Sequence, residues 1–273
     1  MVDIIVKKGL DIPIEGKPIG DPQVLPPPKC VALDVSCHDM LRLKLLKKEG
    51  EHVAQGEAIL VDKHCDARVF IAPASGTIRE VIRGDKRRIL NVSIDVEESS
   101  ARNDFPRLEG DDLIKHMGEC GLFSYILVRP GNRVPDPSQA PEAIFIKGLE
   151  TAPFAPPPEW EVERHSEAFQ AGLSSLASIA PVHLVTRPGS LLSSARDVTH
   201  HTAKGPHPAS NPSVHIANIH PIIRKDQVIW TLDVSGVIAI GMMACEKKVY
   251  TERIVAVCGT KSPRYVIAHL GQA

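Results

Sequence analysis

The side chains with most chemistry to offer are the histidines, and His200, His201, His207, His215 and His220 crowd into one stretch of the chain. Imidazoles in such numbers could ligate a metal. Their spacing matches no zinc signature, and three of them lie in a Pro/Ser-rich loop, so no metal site is expected. His207 is flanked by Pro206 and Pro208 within AKGPHPASNPSVHIANIHPI (203–222). That flanking makes a rigid exposed turn, suited to a ligand or subunit contact and equally to a structural corner. Cys30, Cys37, Cys65, Cys120, Cys245 and Cys258 include no C-x-x-C pair; neither a zinc ribbon nor an iron–sulfur ligand set is spelled out, and reduced thiols are the simplest reading. No Ser-His-Asp or Cys-His constellation can be argued from linear order, so no catalytic residue is assigned. Arg83, Lys86, Arg87 and Arg88 form a basic cluster, which reads as a solvated hairpin or as a contact for a neighbouring subunit or anionic lipid headgroups.

The elements that must position these residues follow from pattern. Between Cys30 and about Glu97, short runs (CVALDV, RLKLL, EAILVD, ARVFIA, TIREVI, RILNVSID) alternate with turn signals such as Gln55-Gly56 and Ser75-Gly76. That alternation predicts a compact all-β module. From Asp111 the period changes: Asp111 or Asp112 is a candidate N-cap, Leu113, Ile114 and Met117 share a helical face, and Gly121 is a stop. AIFIKG (143–148) reads as a buried strand, Ser166 to Ala180 as a helix, and VHLVTR (182–187) and VHIANI (214–219) as strands. Val234 to Glu246 reads as a helix and ERIVAVCG (252–259) as a strand. Strands alternating with helices argue for an α/β layer with a largely parallel sheet. The proline-rich LPPP (25–28), VPDPSQAPE (134–142) and FAPPPEW (154–160) mark surface connections.

Composition excludes several classes. Lys and Arg number 32 against 33 Asp and Glu, and aromatic residues are 4%; with no basic field and few stacking platforms, nucleic acid is not an expected partner. Apolar residues at 43% and charged residues at 24% suit a soluble globular protein, and 273 residues can bury more than one core. MVDIIVKKGLDIPI lacks an h-region and cleavage site, so no signal peptide is expected. The longest apolar stretch, Val234 to Cys245, falls short of the ~18 to 20 residues that span a bilayer.

Three stretches carry family resemblances. LVDKHCDARVFIAPASGTIREV (60–81) resembles the hammerhead of biotinyl and lipoyl domains, with Lys63 where those carriers are acylated. His64 stands where the carriers have a small residue, and an unmodified surface lysine on a barrel-sandwich scaffold is expected. GECGLFSYILVRPGNRVPDPSQAPEAIFIKGLETAPF (118–154) sits where the complex I flavoprotein and the Rnf C subunit place a glycine-rich flavin loop. Here Gly121 remains, but Phe123, Tyr125, Ile126 and Leu127 replace the glycines that would admit a phosphate. Only the acidic turn, with Glu150, is kept. Finally KKGLDIPI (7–14), GPHPA (205–209), WTLDVSGVIAIG (230–241) and VYTERIV (249–255) identify the chain as similar, over nearly its whole length, to the NqrA family of the sodium-translocating NADH:quinone oxidoreductases.

This resemblance implies a multidomain α/β protein. Residues 1–29 are an N-terminal strand and connector, 30–97 a barrel-sandwich (lipoyl-like) domain, 98–259 a Rossmann-like domain with a degenerate flavin loop, and 260–273 the start of a truncated β-grasp region. It implies a peripheral subunit on the cytoplasmic side of the bacterial inner membrane, partnered by other subunits of the complex, especially a membrane-embedded one. No covalent cofactor and no FMN are expected. Ubiquinone is the implied ligand, with Arg129, Arg133, Gly205, Pro206, His207 and Pro208 as candidate contacts, and the isolated chain is expected to have no turnover. Two rival readings stand beside it: a flavin/NADH-binding dehydrogenase subunit of the Rnf or complex I type, and a lipoyl-type carrier module.

Overall fold

The computed structural model describes residues 1–38, 40–97 and 103–272. The expected domain boundary after residue 97 and the last residue, 273, fall at or among residues outside that description. After β1 (Asp3–Ile5) and β2 (Gln23–Val24), seven strands build the expected β-module: β3 (Cys30–Asp34), β4 (Leu43–Leu45), β5 (His52–Val53), β6 (Ala58–Asp62), β7 (Cys65–Ile71), β8 (Gly76–Arg83) and β9 (Ile89–Val96). They form two sheets, β3-β9-β8-β5 and β4-β6-β7. Alternation decides which side chains meet: in β9, Ile89, Val92 and Ile94 point inward and join Val31, Ile59, Phe70 and Ile78 in one core between the sheets. At the tip of the β6–β7 hairpin Lys63 is exposed. Just behind the tip, buried Arg68 pairs with buried Asp62 and donates from Nε to the Pro135 carbonyl at 2.9 Å, so the hairpin is fastened to the following domain.

That domain contains α1 (Leu113–Glu119), β10 (Leu127–Arg129), β11 (Ala143–Gly148), α2 (Pro158–Arg164), α3 (Ser166–Ala177), β12 (Val182–Thr186) and β13 (Thr199–Lys204). It continues through α4 (Pro212–Ile219), β14 (Ile229–Asp233) and α5 (Val234–Glu246). The six-stranded sheet runs β1-β13-β12-β11-β14-β10, all parallel except the edge strand β10. Because helices cover both faces, β11 is apolar without alternation and buried at five of its six positions. One face holds Ile144, Ile146, Trp230 and the helices α3 and α5. The other holds Phe145, Leu149, Val185 and Ile216 of α4. A Cβ on Gly241 would run into the Ala168 carbonyl, and one on Gly172 into that of Val237, so α3 and α5 approach this closely only because both carry glycine at the crossing. On the Phe145 face, His201 accepts the Val2 N–H at Nδ1 (3.1 Å) and faces His183 Nδ1 through Nε2 at 3.0 Å.

Several expectations need correction. VHIANI is not a strand: Asn211 accepts the Ser213 N–H and Pro212 opens α4, a capping signal that outweighs the β-branched composition. The FAPPPEW stretch is not wholly a connection, because Pro158 starts α2, where a proline loses no hydrogen bond. The strand expected over 252–259 is β15 (Glu252–Val257), but it pairs with β16 (Arg264–His269), which also takes β2 in parallel, rather than with the six-stranded sheet. The helix expected to Ala180 ends at Ala177, and Gly121 lies at φ +74° where it begins a further 3-10 turn.

Candidate functional site

Open α/β sheets bind ligands outside the carboxyl ends of their strands, and four loops gather there. The β11 loop brings Glu150 and Thr151, the β12 end brings Arg187, the β13 end brings Gly205 to Ser210, and the β14 end brings Asp233. Two motifs far apart in sequence lock this edge together. Gly205, at φ +122°, lies so close to Val6 that a Cβ would meet its carbonyl oxygen, and a Cβ on Gly9 would meet that of His207. Leu10 N–H donates to the His207 carbonyl at 3.0 Å. KKGL and GPHPA are therefore two halves of one contact, which places the N-terminal segment beside the cleft.

Within the cleft the hydrogen bonds have a forced direction. Lys147 Nζ donates to Glu150 Oε2 at 2.6 Å, while Thr151 N–H, Ala152 N–H and the Ser210 hydroxyl donate to Oε1 at 2.9, 3.1 and 3.1 Å. Burial pushes this carboxyl up, yet Lys147 and the two backbone N–H groups outweigh it and hold Glu150 below the ordinary carboxylate range. An ionised carboxylate only accepts. The Ser210 proton goes to Glu150, so the Thr151 proton goes to Ser210 Oγ (2.7 Å), and Thr151 Oγ1 accepts from His207 Nδ1 (3.0 Å). Neutral His207 consequently carries its proton on Nδ1 and turns the lone pair of Nε2 away from the network. Arg187 donates to the Glu150 carbonyl and fixes the same loop.

His207 opens on a cleft of about 850 Å³, lined on its other sides by Leu10, Ile12, Phe154, Trp160 and Tyr265 and, among them, by the charged Asp11, Lys17 and Arg187. Trp160 and Tyr265 pack edge to face at 4.9 Å. Apolar walls with a few convergent polar groups suit a flat, partly polar organic ligand. Sequence reasoning named His207 but missed Thr151, which bonds it directly, and two supports behind it. Ser210 links it to Glu150, and His215, fully buried, meets the Ala209 carbonyl at 2.8 Å through Nε2 and holds the turn from behind. Burial lowers the His215 pKa, against the opposing pull of that carbonyl.

The other anticipated residues go elsewhere. Arg129 abuts the start of α4, 3.4 Å from Ser213 Oγ, and Arg133 lines a separate groove with Cys37, Met40 and Asp136. Neither lines the His207 cleft. Phe123 and Ile126 are fully buried, Phe123 edge-on to Trp230 at 6.2 Å; Tyr125 donates its hydroxyl to the Tyr250 carbonyl at 3.3 Å; Leu127 sits on the edge strand. The start of α5 is taken by protein carboxylates: Asp233 accepts the Gly236 N–H at 2.9 Å, buried Glu161 bonds Ser235, and Arg253 bridges both acids. The five clustered histidines have separate partners. His200 meets the Ala195 carbonyl at 2.8 Å and His220 lies 3.9 Å from Glu142. Among the described residues no group of three or more His, Cys, Asp or Glu could hold a metal ion. No helix among them is long and apolar enough to cross a membrane.

Residues 4–97 match the NqrA N-terminal barrel-sandwich hybrid domain, and residues 108–248 match the NqrA second alpha/beta domain. The A subunit of the Na(+)-translocating NADH-quinone reductase of Pseudomonas aeruginosa (strain UCBPP-PA14) is 33% identical, over 98% of this chain and 62% of the relative. Those of Yersinia pestis and Klebsiella pneumoniae (strain 342) are each 33% identical, over 94% and 98% of this chain and 60% and 63% of theirs. The chain thus spans about three fifths of the length of these curated relatives. A barrel-sandwich module followed by an α/β domain, matched in that order across most of its residues, makes this chain a member of the NqrA family of the Na(+)-translocating NADH-quinone reductases.

Proposed function

We propose that this chain is a non-flavin, peripheral subunit of a sodium-translocating NADH:quinone reductase and that its His207 cleft holds a quinone headgroup. The relatives are named for a complex that joins NADH, quinone and sodium translocation. On this reading the chain docks on other subunits of that complex, a membrane-embedded one above all, at the cytoplasmic face of the bacterial inner membrane. The β13-β12-β11-β14 order of parallel strands favours a Rossmann-like ancestry for the second domain. The flavin of its redox relatives is absent on this reading, because Phe123 and Ile126 fill the core where a loop would open and carboxylates occupy the start of α5.

The observation that carries the quinone assignment is the polarity of the Glu150–Ser210–Thr151–His207 chain. It leaves Nε2 as an acceptor for a quinol hydroxyl when His207 is neutral and as a donor to a quinone carbonyl when it is protonated. Trp160 and Phe154 supply apolar walls for the ring. Without a redox group of its own, the chain has no turnover and serves as a binding and docking element. Calorimetric titration with a water-soluble ubiquinone analogue tests this. Saturable binding is expected, weakened up to about tenfold by His207→Ala, the loss of one hydrogen bond worth about 0.5–1.5 kcal/mol. Unchanged affinity in that variant, or NADH oxidation by the purified chain above the enzyme-free rate, would overturn it.

A further inference from the structure

The quinone reading leaves unused a groove at the opposite module, where three loops of the β-barrel converge. Val35, His38 and Leu41 to Leu43 of the β3–β4 stretch, Lys63 at the β6–β7 hairpin tip and the β8–β9 turn together line a space of about 930 Å³. Its floor is apolar, made by Val35, Leu41, Leu43, Ile89 and Leu90. Its walls carry Arg42, Lys63, Lys86, Arg87 and Arg88, and among the described residues the only acid that lines it is Asp85. The whole chain has a formal charge of −1, so this surplus is local. Arg42, Lys63, Lys86 and Arg87 form no ion pair among the described residues.

The β8–β9 turn is also held in an unusual way. Lys86 and Arg87 are consecutive non-glycine residues at φ +52° and +60°, both exposed. Left-handed backbone at two long side chains is disfavoured, and persists where the surroundings over-determine it. Arg88, donating to the Ser36 carbonyl, ties this turn to the neighbouring loop. Exposed apolar side chains lie close by in sequence: Met40, 81% exposed, stands between the lining residues His38 and Leu41 and itself borders the adjoining groove of Arg133, and Ile82, 45% exposed, lies two residues before Gly84. Among the described residues no Phe, Tyr or Trp lines the groove, which removes the stacking surface a nucleic acid would use.

We propose that this end of the β-module is a docking surface for an anionic lipid bilayer, with the groove cations on phosphate headgroups and Met40 and Ile82 dipping into the interface. Cations around exposed apolar tips are the chemistry that such a surface recognises. The surface is independent of the His207 cleft and of what that cleft binds.

Flotation of the purified 273-residue chain with vesicles of phosphatidylcholine plus phosphatidylglycerol, against phosphatidylcholine alone, tests it. Binding is expected to the anionic vesicles only, and raised salt should reverse it. Lys86→Ala/Arg87→Ala should weaken partition about 30-fold, the equivalent of ~1 kcal/mol for each of two basic residues at such a surface. Lys225→Ala/Lys261→Ala, which removes the same charge from other exposed positions, should leave it nearly unchanged, with circular dichroism showing both variants folded. Equal binding to neutral vesicles, or an equal loss in the control pair, would sink the proposal. So would saturable binding of pyrophosphate in calorimetry that displaces the chain from vesicles, since the groove would then serve a soluble phosphate compound.

Discussion

Acid should unfold this protein through His201. Its Nδ1 accepts the Val2 N–H and its Nε2–H points at His183, so it is held neutral, 3% exposed, between β1 and β12. Burial first, and then the neighbouring His183, the chain's amino terminus, His200 and His215, depress its pKa from 6.5 to about 4. Above about pH 6.5 folded and unfolded chains both carry neutral His201, and its contribution is fully present. As pH falls further the unfolded chain takes a proton that the folded chain refuses. Stability therefore drops by up to about 3 kcal/mol on reaching pH ~4. A proton forced onto Nδ1 would also displace the Val2 N–H and loosen the start of β1. Urea unfolding across this range measures the slope. His201→Gln keeps an acceptor and a donor but cannot titrate, so its unfolding free energy should fall less steeply between about pH 6.5 and 4. An equally steep fall in the variant would refute the reasoning, because other groups would then carry the acid sensitivity.

Further outcomes follow from the same contacts. Gly205→Ala places a Cβ against the Val6 carbonyl at φ +122°; it should cost about 1–3 kcal/mol and expose residues 1–10 to limited proteolysis at a rate wild type does not show. Arg68→Ala leaves Asp62, 2% exposed, without its cation, and the urea midpoint should report a loss of about 3–5 kcal/mol. FMN and NADH should show no saturable binding below millimolar concentration, weaker than about −4 kcal/mol. Intact mass should reveal no lipoyl or biotinyl increment on Lys63.

What the sequence made legible was the local part of the problem. Val234 to Glu246 reads as a helix from the pattern of its apolar run, and the structure has those bounds, with Asp233 capping the start. AIFIKG reads as a buried strand because nothing in it but Lys147 is charged. VHIANI misleads, because valine and isoleucine suggest a strand while the decisive residues, Asn211 and Pro212, lie just before the run. The short strands THHTAK (199–204) and IWTLD (229–233) carry too little period to be seen alone, and gain their identity from parallel neighbours. The site divides the same way. His207 stands out because prolines bracket it, and Glu150 because it remains in an acidic turn. Ser210 and Thr151 are ordinary residues 59 positions apart, joined only once β11 and β13 lie in one sheet with their carboxyl ends together. Arg133 illustrates the converse: near Arg129 in sequence, it is turned by Gly131 into another groove.

The placement of the quinone is tested most directly by a structure of the chain soaked with a short-chain ubiquinone analogue. The ring is expected between Trp160 and His207, with one oxygen in hydrogen-bond reach of Nε2. A ring found instead in the cavity of about 240 Å³ bounded by Leu33, Phe70, Cys120, Tyr125 and Tyr250 would contradict it.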